Sequence, residues 1–208
     1  YNVDSVITTR ELARMIKQAH IDLKLLEDSE FDSPIGEATG AGAIFGTTGG
    51  VMEAALRTAY EKVTGEELEK LEFEDVRGKE GIKKATVKMG DKDIKVAVAS
   101  GLANAEKLLQ EIKSVEEDYQ FVEILACPGG CVMGVGQPIV SSKKRNDVDV
   151  RKARAECLYT IDEKSTIRKS HENPVIKKIY AEFLEKPGSH KSHELLHTTY
   201  QPRERYKN

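Results

Sequence analysis

Apolar positions alternate with polar ones, or run together, in three short stretches between residues 82 and 126, which predicts three β-strands. The first two stretches, 82–89 and 93–100, flank Gly90 and Asp91 and therefore predict a hairpin. A helical pattern of leucine and isoleucine over 102–112 separates the second stretch from the third. The order strand, helix, strand predicts a right-handed crossover with parallel pairing. We expect an α/β fold with a parallel-containing sheet flanked by helices.

Helical periodicity and capping signals account for most of the remaining chain. Thr8-x-x-Glu11 has the form of a capping box and predicts a helix from about Thr9 to His20 with an apolar stripe. Further helices are predicted from about Val51 to Val63, from Asp149 to Tyr159 and from Pro174 onward. The last two would form a helical C-terminal extension. We expect two units, an α/β lobe over residues 1–140 and a helical segment over residues 141–208.

Composition sets few limits on function. The 208 residues carry 32 basic and 35 acidic side chains, for a net charge of −3, which gives no electrostatic reason to expect nucleic-acid binding. Three cysteines and the lack of a long apolar run predict a protein of a reducing compartment, the cytoplasm, without membrane insertion. The chain starts at Tyr1 rather than at Met, which suggests a piece of something longer.

The third predicted strand ends at a loop that contains two cysteines among glycines. Cys127-x-x-x-Cys131 encloses Pro128, Gly129 and Gly130. Thiolates at this spacing can face one centre, and glycines let backbone N–H groups approach an anionic iron-sulfur cluster. On spacing alone, a cluster site is no more strongly indicated than the other readings together, which are a buried reduced pair, half of a zinc site and a disulfide.

The predicted topology places this loop where binding sites are common. Gly101 and Cys127 follow the carboxyl ends of two strands that we expect to be parallel neighbours. Open α/β sheets build their sites at that edge.

The glycine-rich segment 36–50 raises the question of phosphate binding, but it matches neither a dinucleotide fingerprint nor a P-loop. Small residues here could instead line a compact cavity, with Phe45 as the bulky exception. In the next helix, Glu53 and Arg57 have the spacing of a solvated ion pair. Cys157 would pack as a small apolar residue.

A competing motif lies near the C-terminus. His193-Glu-Leu-Leu-His197 matches H-E-x-x-H, which on a helix would bind zinc with Glu194 as a general base. No histidine or cysteine follows His197 to supply a third ligand. A zinc peptidase remains a remote alternative.

Three segments together resemble FeFe (iron-only) hydrogenases. Residues 123–138, E-I-L-A-C-P-G-G-C-V-M-G-V-G-Q-P, resemble the third cysteine signature of that family. Residues 42–57 resemble its glycine-rich segment and following helix, and residues 168–174 and 189–197 resemble its C-terminal segment, which is a separate small subunit in some relatives. Nearly the whole chain is covered.

The resemblance implies reversible hydrogen oxidation and proton reduction at an H-cluster, which joins a 4Fe-4S cluster to a two-iron subsite carrying CO, CN and a bridging dithiolate. It implies that Cys127 binds the 4Fe-4S cluster and that Cys131 both binds it and bridges to the subsite. Phe45 and Gly46 would line the subsite, and Gly129 and Gly130 would lie against the cluster. Ferredoxin is the electron partner that the family suggests.

The chain differs from the family pattern at two positions and lacks two of the cysteine ligands that the family needs. Leu125 stands where the family usually has a methionine beside the subsite, and Val135 interrupts its glycine run. The family needs four cysteine ligands, and this chain matches only two of those positions. We therefore expect that it acts with an N-terminal half, on the same chain or on another. A non-catalytic or sensory hydrogenase-like iron-sulfur protein is the main alternative.

Overall fold

The computed structural model describes residues 4–29, 32, 36–68, 72–73, 76–77, 81–114, 117–199 and 201. Its sheet has three strands in the order β1-β2-β3, formed by Ile82–Met89, Lys92–Ser100 and Phe121–Leu125. Strands β1 and β2 form an antiparallel hairpin, and β2 and β3 pair in parallel through a helical crossover. The predicted α/β fold with a parallel-containing sheet is confirmed.

Eight α-helices are described. They are α1 Thr9–Gln18, α2 Gly40–Ala43, α3 Gly50–Thr64, α4 Leu102–Lys113, α5 Ser142–Asp147, α6 Val150–Lys164, α7 Pro174–Ile179 and α8 His190–Leu196. Short 3-10 turns cover Ile44–Gly46, Cys131–Met133 and Ser170–Glu172, and a π-helical turn over Tyr180–Leu184 continues α7. Within the described ranges, no helix has the length and apolar character needed to cross a bilayer.

The second half of β2, residues 96–100, is buried on both faces because a helix covers each side of the sheet. Val96 and Val98 pack with Met52 and Leu56 of α3 in one core cluster. Ala97 and Ala99 pack with Leu108 of α4 in another. This burial explains why the second half of β2 is uniformly apolar rather than alternating.

Buried ion pairs fasten the C-terminal segment to α3. The Arg57 guanidinium lies 2.7 Å from Oε1 of Glu53 and 2.8 Å from Oδ1 of Asp162, and all three side chains are at most 1% exposed. Arg168 adds a second contact to Asp162 at 2.6 Å. The prediction of a solvated Glu53–Arg57 pair is wrong, because α6 brings Asp162 over the pair and removes it from water.

Helix α1 has the predicted capping box but is shorter than expected. The Thr8 side chain accepts from the Glu11 N–H, and the Glu11 carboxylate accepts from the Thr8 N–H at 2.7 Å. The helix ends at Gln18, and His20 takes a positive φ of 55°. None of its residues is buried, and Met15 is 52% exposed, so its apolar stripe does not contribute to the described core.

The C-terminal helices differ from the prediction in detail. Helix α6 extends to Lys164, well beyond Tyr159. The polar stretch before it forms α5, because the Ser141 hydroxyl caps that helix by accepting from the Lys144 N–H. Only Leu184 is buried within α7 and its π-helical continuation.

Candidate functional site

The cysteine loop begins directly after β3 and turns back on itself. The Gly130 N–H donates to the Cys127 carbonyl at 2.9 Å, and a 3-10 turn follows from Cys131 to Met133. Gly129 and Gly130 take φ values of +90° and +86°, which side chains disfavour. Both thiols are free; Cys127 is half-buried and Cys131 is exposed.

The carboxyl ends of β2 and β3 are joined under this loop. The Gly101 N–H donates to the Leu125 carbonyl at 2.7 Å. A Cβ on Gly101 would lie 3.6 Å from the Pro128 ring, so the two connections lie side by side. The cysteines therefore lie at the sheet edge that the topology predicted. Leu125 is half-buried and pairs with Ser100 in the sheet.

The glycine-rich segment packs backbone against backbone on the cysteine loop. A Cβ on Gly130 would lie 2.5 Å from the Gly46 carbonyl oxygen and 2.8 Å from the Thr47 carbonyl carbon and the Thr48 nitrogen. Only glycine at position 130 permits this approach. The contact places Gly46 against Gly130, the residue that precedes Cys131. Phe45 is 46% exposed, so it is not a simple core residue.

Glu123 makes a second connection between the same two loops, and sequence reasoning assigned it no role. Its side chain leaves the middle of β3 and is buried. Its Oε1 accepts from the Gly49 N–H at 2.8 Å and its Oε2 from the Met52 N–H at 2.6 Å. Burial raises the pKa of Glu123, and these two bonds oppose that rise. The signal in the sequence was a lone acid inside an apolar strand.

A cavity of about 310 Å³ opens between the cysteine loop and α6. Cationic side chains of Arg77 and Arg151 line it together with Gly129, Thr48 and Tyr159. Arg77 lies 3.9 Å above the Tyr159 ring and pairs with Glu53 at 2.7 Å. The short stretch that contains Arg77 thus contributes to the interior, since its neighbour Val76 is 1% exposed.

Large apolar side chains are exposed on the elements that meet at the cysteine loop and on the residues that follow it. Val135 is 88% exposed in the loop itself, and Ile139 just after it is 76% exposed. Leu102 at the start of α4 is 72% exposed, and Phe45 and Ile124 add to this surface. Where exposed apolar side chains form a large patch, they mark a surface that another protein or domain covers.

The third cysteine does not join the first two. Cys157 lies on α6 and is exposed, so the prediction that it packs as a small apolar residue is wrong. It lies on a face of α6 that the described residues leave open to solvent. In the part of the chain that the structure describes, the only group of three potential ligands is Glu61, His171 and Glu172.

The carboxylates of that group already pair with a lysine side chain. The Lys169 ammonium lies 2.6 Å from Glu61 and 3.2 Å from Glu172, so both carboxylates already have a cationic partner. The H-E-x-x-H histidines form no such group in the described residues: their rings lie 4.5 Å apart, and α8 ends before His197. The zinc-peptidase alternative gains no support.

Two family models match separate parts of the chain. Residues 1–135 match the family described as iron only hydrogenase large subunit, C-terminal domain. Residues 148–203 match the family described as iron hydrogenase small subunit.

Similar proteins include the NADP-reducing hydrogenase subunit HndD of Solidesulfovibrio fructosivorans, 52% identical over 98% of this chain and 34% of that protein. The chain thus spans about a third of that relative. The solved FeFe-hydrogenase HydA1 from Chlamydomonas reinhardtii superposes with a TM-score of 0.73 at 43% identity, over 95% of this chain and 55% of the other. A more distant relative is the cytosolic Fe-S cluster assembly factor narfl of Xenopus tropicalis, 30% identical over 95% of this chain and 41% of that protein. By its matched large-subunit domain, this chain belongs to the iron-only hydrogenase family.

Proposed function

We propose that this chain is the C-terminal lobe and small-subunit-like segment of an iron-only hydrogenase, which interconverts hydrogen with protons and electrons. The observation that carries the proposal is the contact of Gly130 with Gly46, which brings the two family loops together at the carboxyl end of β3. The residues around that contact are those that the family resemblance assigns to the H-cluster. We retain residues 1–140 and 141–208 as the two units.

The donor set fits half of such a cluster. Cys127 and Cys131 are free thiols separated by one turn, and a 4Fe-4S cluster takes four cysteine ligands in this family. Cys131 would also bridge to the two-iron subsite, with Phe45, Gly46 and Leu125 beside it and Gly129 and Gly130 against the cluster. The bound group would supply the chemistry of hydrogen and the electron path, while the protein supplies ligands, orientation and exclusion of water.

The exposure of the cysteine loop supports the inference that a further part of the protein covers it and completes the site. Cys131 is exposed and the surrounding apolar side chains reach 88% exposure at Val135. We infer that the N-terminal part of the whole protein, on this chain or a separate one, covers this face and donates the other two cysteines. Electrons would then pass to or from a carrier such as ferredoxin, in the reducing environment of the cytoplasm that free thiols favour.

A second candidate is an iron-sulfur scaffold without hydrogenase activity. Similarity to a cytosolic Fe-S cluster assembly factor favours it, as does Leu125 in place of the methionine that the hydrogenase resemblance leads us to expect. The two candidates differ in whether CO and CN ligands are bound.

Infrared spectroscopy and iron analysis of the anaerobically purified full-length protein separate the candidates. Bands of bound CO and CN together with hydrogen evolution support the hydrogenase. Iron and sulfide without those bands would support the non-catalytic iron-sulfur scaffold. Zinc as the only metal would contradict both candidate functions.

A further inference from the structure

Helix α3 begins without a cap of its own. The residue at its N-cap is Gly49, in a left-handed conformation with φ 87°, and it has no side chain to accept from the first N–H groups. The first turn of any helix leaves such N–H groups without intrahelical partners, and leaving them unpaired in a buried place is costly. The helix therefore needs an acceptor from elsewhere in the chain.

Glu123 supplies that acceptor from β3, more than seventy positions away. One of its carboxylate oxygens accepts a hydrogen bond from the Gly49 N–H, and the other accepts one from the Met52 N–H. A carboxylate at a helix N-terminus also interacts favourably with the helix dipole, and hydrogen bonds to a charged group are the stronger kind. These bonds hold the carboxylate in a place where it is only 6% exposed.

We call the pair of hydrogen bonds from Gly49 and Met52 to Glu123 the tether. Its position in the chain matters more than its strength. Glu123 lies in β3, four residues before Cys127 of the loop that follows, and Gly49 lies three residues after Gly46. One side chain therefore connects the element that carries the cysteines to the element that carries Phe45 and Gly46. The backbone contact of Gly130 with Gly46 connects the same two elements from the other side.

We propose that Glu123 is a positioning residue that sets the separation between the cysteine loop, 127–133, and the glycine loop, 44–49. The proposal rests on the proposed function for its consequence at the cofactor, but the tether itself can be tested without any cofactor. It assigns Glu123 no contact with substrate or iron.

The test compares Glu123→Gln with wild type in the full-length protein, first without cofactor, by amide hydrogen exchange. Glutamine keeps the shape but turns an N–H group toward one of the two backbone donors. Exchange should accelerate by roughly tenfold or more at Gly49 and Met52. It should also accelerate in the cysteine loop, where the Gly130 and Met133 N–H groups are the reporters. Acceleration confined to the start of α3 would show a local helix cap and overturn the proposal, as would no acceleration at all.

Two further variants keep this result interpretable. Glu117→Gln removes a carboxylate from the exposed pair with Lys95 just before the same strand, and it should leave both loops unchanged. If Glu123→Gln does not fold, Glu123→Asp retains the charge but shortens the side chain by one methylene, and intermediate exchange in both loops is expected.

The loaded enzyme provides the second readout. If Glu123 sets the loop separation, Glu123→Gln should shift or split the infrared bands of the bound CO ligands, because Phe45 and Gly46 would no longer hold one position beside them. Unchanged bands in a variant with accelerated exchange would overturn the positioning role. A wild-type protein without any such bands would instead defeat the proposed function, while the exchange result would still decide the tether.

Discussion

Helix α3 contacts two regions that differ in how much of their surface is exposed to solvent. Along its middle, Arg57 is enclosed by Glu53 and Asp162 with no exposed side-chain surface of its own. At its beginning, the neighbouring cysteine loop exposes Cys131 and leaves Val135 at 88% exposure. The chain thus satisfies its own charges where the C-terminal segment docks, and leaves thiols and apolar side chains open where a cluster would bind. We expect such a difference if the C-terminal segment docks within this chain while the proposed cluster site needs a further part of the protein.

The largest effect is expected on the open side. In the full-length protein, Cys131→Ser should remove the bridge to the two-iron subsite, so that CO and CN bands disappear and hydrogen evolution falls to background. Cys127→Ser should lower the iron content of the 4Fe-4S cluster. The exposed Cys157 on α6 gives a matched control, since Cys157→Ser should change neither spectrum nor activity. Loss of the bands in the control alone would contradict the assignment of the cysteines.

In the buried ion-pair network around Arg57, we expect substitutions to lower the free energy of unfolding. Arg57→Met leaves Glu53 and Asp162 as buried carboxylates without their shared partner, and removing one member of a buried ion pair costs about 3–5 kcal/mol. Lys152→Met is the control: it breaks a pair with Glu156 whose side chains are 65% and 62% exposed, which should cost under about 1 kcal/mol. Urea unfolding of the full-length protein measures both. Equal effects would contradict the burial of the network.

The junction between the two regions can be tested with alanine at glycines. Gly130 and Gly188 both have positive φ, +86° and +75°, but a Cβ on Gly188 would meet no atom within 4 Å. Gly188→Ala should therefore cost only the backbone strain, about 1–2 kcal/mol. Gly130→Ala should cost at least about 1 kcal/mol more, because its Cβ would strike the Gly46 carbonyl. The same variant should lower bound iron, and equal melting temperatures for the two variants would contradict the close packing of the loops.

The smallest effect concerns acid stability where the C-terminal segment meets the end of α3. Burial raises the pKa of Glu61, but hydrogen bonds from the Leu68 N–H, Lys169 and His171 outweigh it and bring the pKa from 4.5 to about 2. A pKa lowered by folding gives stability that is present above pH 4.5 and is lost as the pH falls toward 2. Glu61→Gln should flatten this part of the stability profile. An unchanged profile would show that the carboxylate contributes nothing to docking.

The sequence predicted the elements whose signals are local. Turn residues at Gly90 and Asp91 and the capping box at Thr8 specified the hairpin and the first helix, because each depends on neighbouring residues only. Strand order followed from chain connectivity. The same reasoning placed Cys127 just after the third strand, which the structure confirms. That strand is not buried along its length, however, because Phe121 and Ile124 are 39% and 42% exposed.

Features that depend on distant partners were beyond the sequence. The spacing of Glu53 and Arg57 indicates a solvated pair, and nothing near them announces that Asp162 will cover it. Glu123 likewise acquires its role only when the sheet brings it to Gly49. Cys157 was assigned an apolar environment because free cysteines are usually buried, whereas α6 turns it outward.

The central claim is that this chain supplies half of a cluster site. Iron content with infrared spectroscopy tests it most directly, on the 208 residues alone and on the same residues joined to the N-terminal part. The account predicts stoichiometric iron and CO and CN bands only in the joined form. A complete H-cluster on the isolated 208 residues would contradict it.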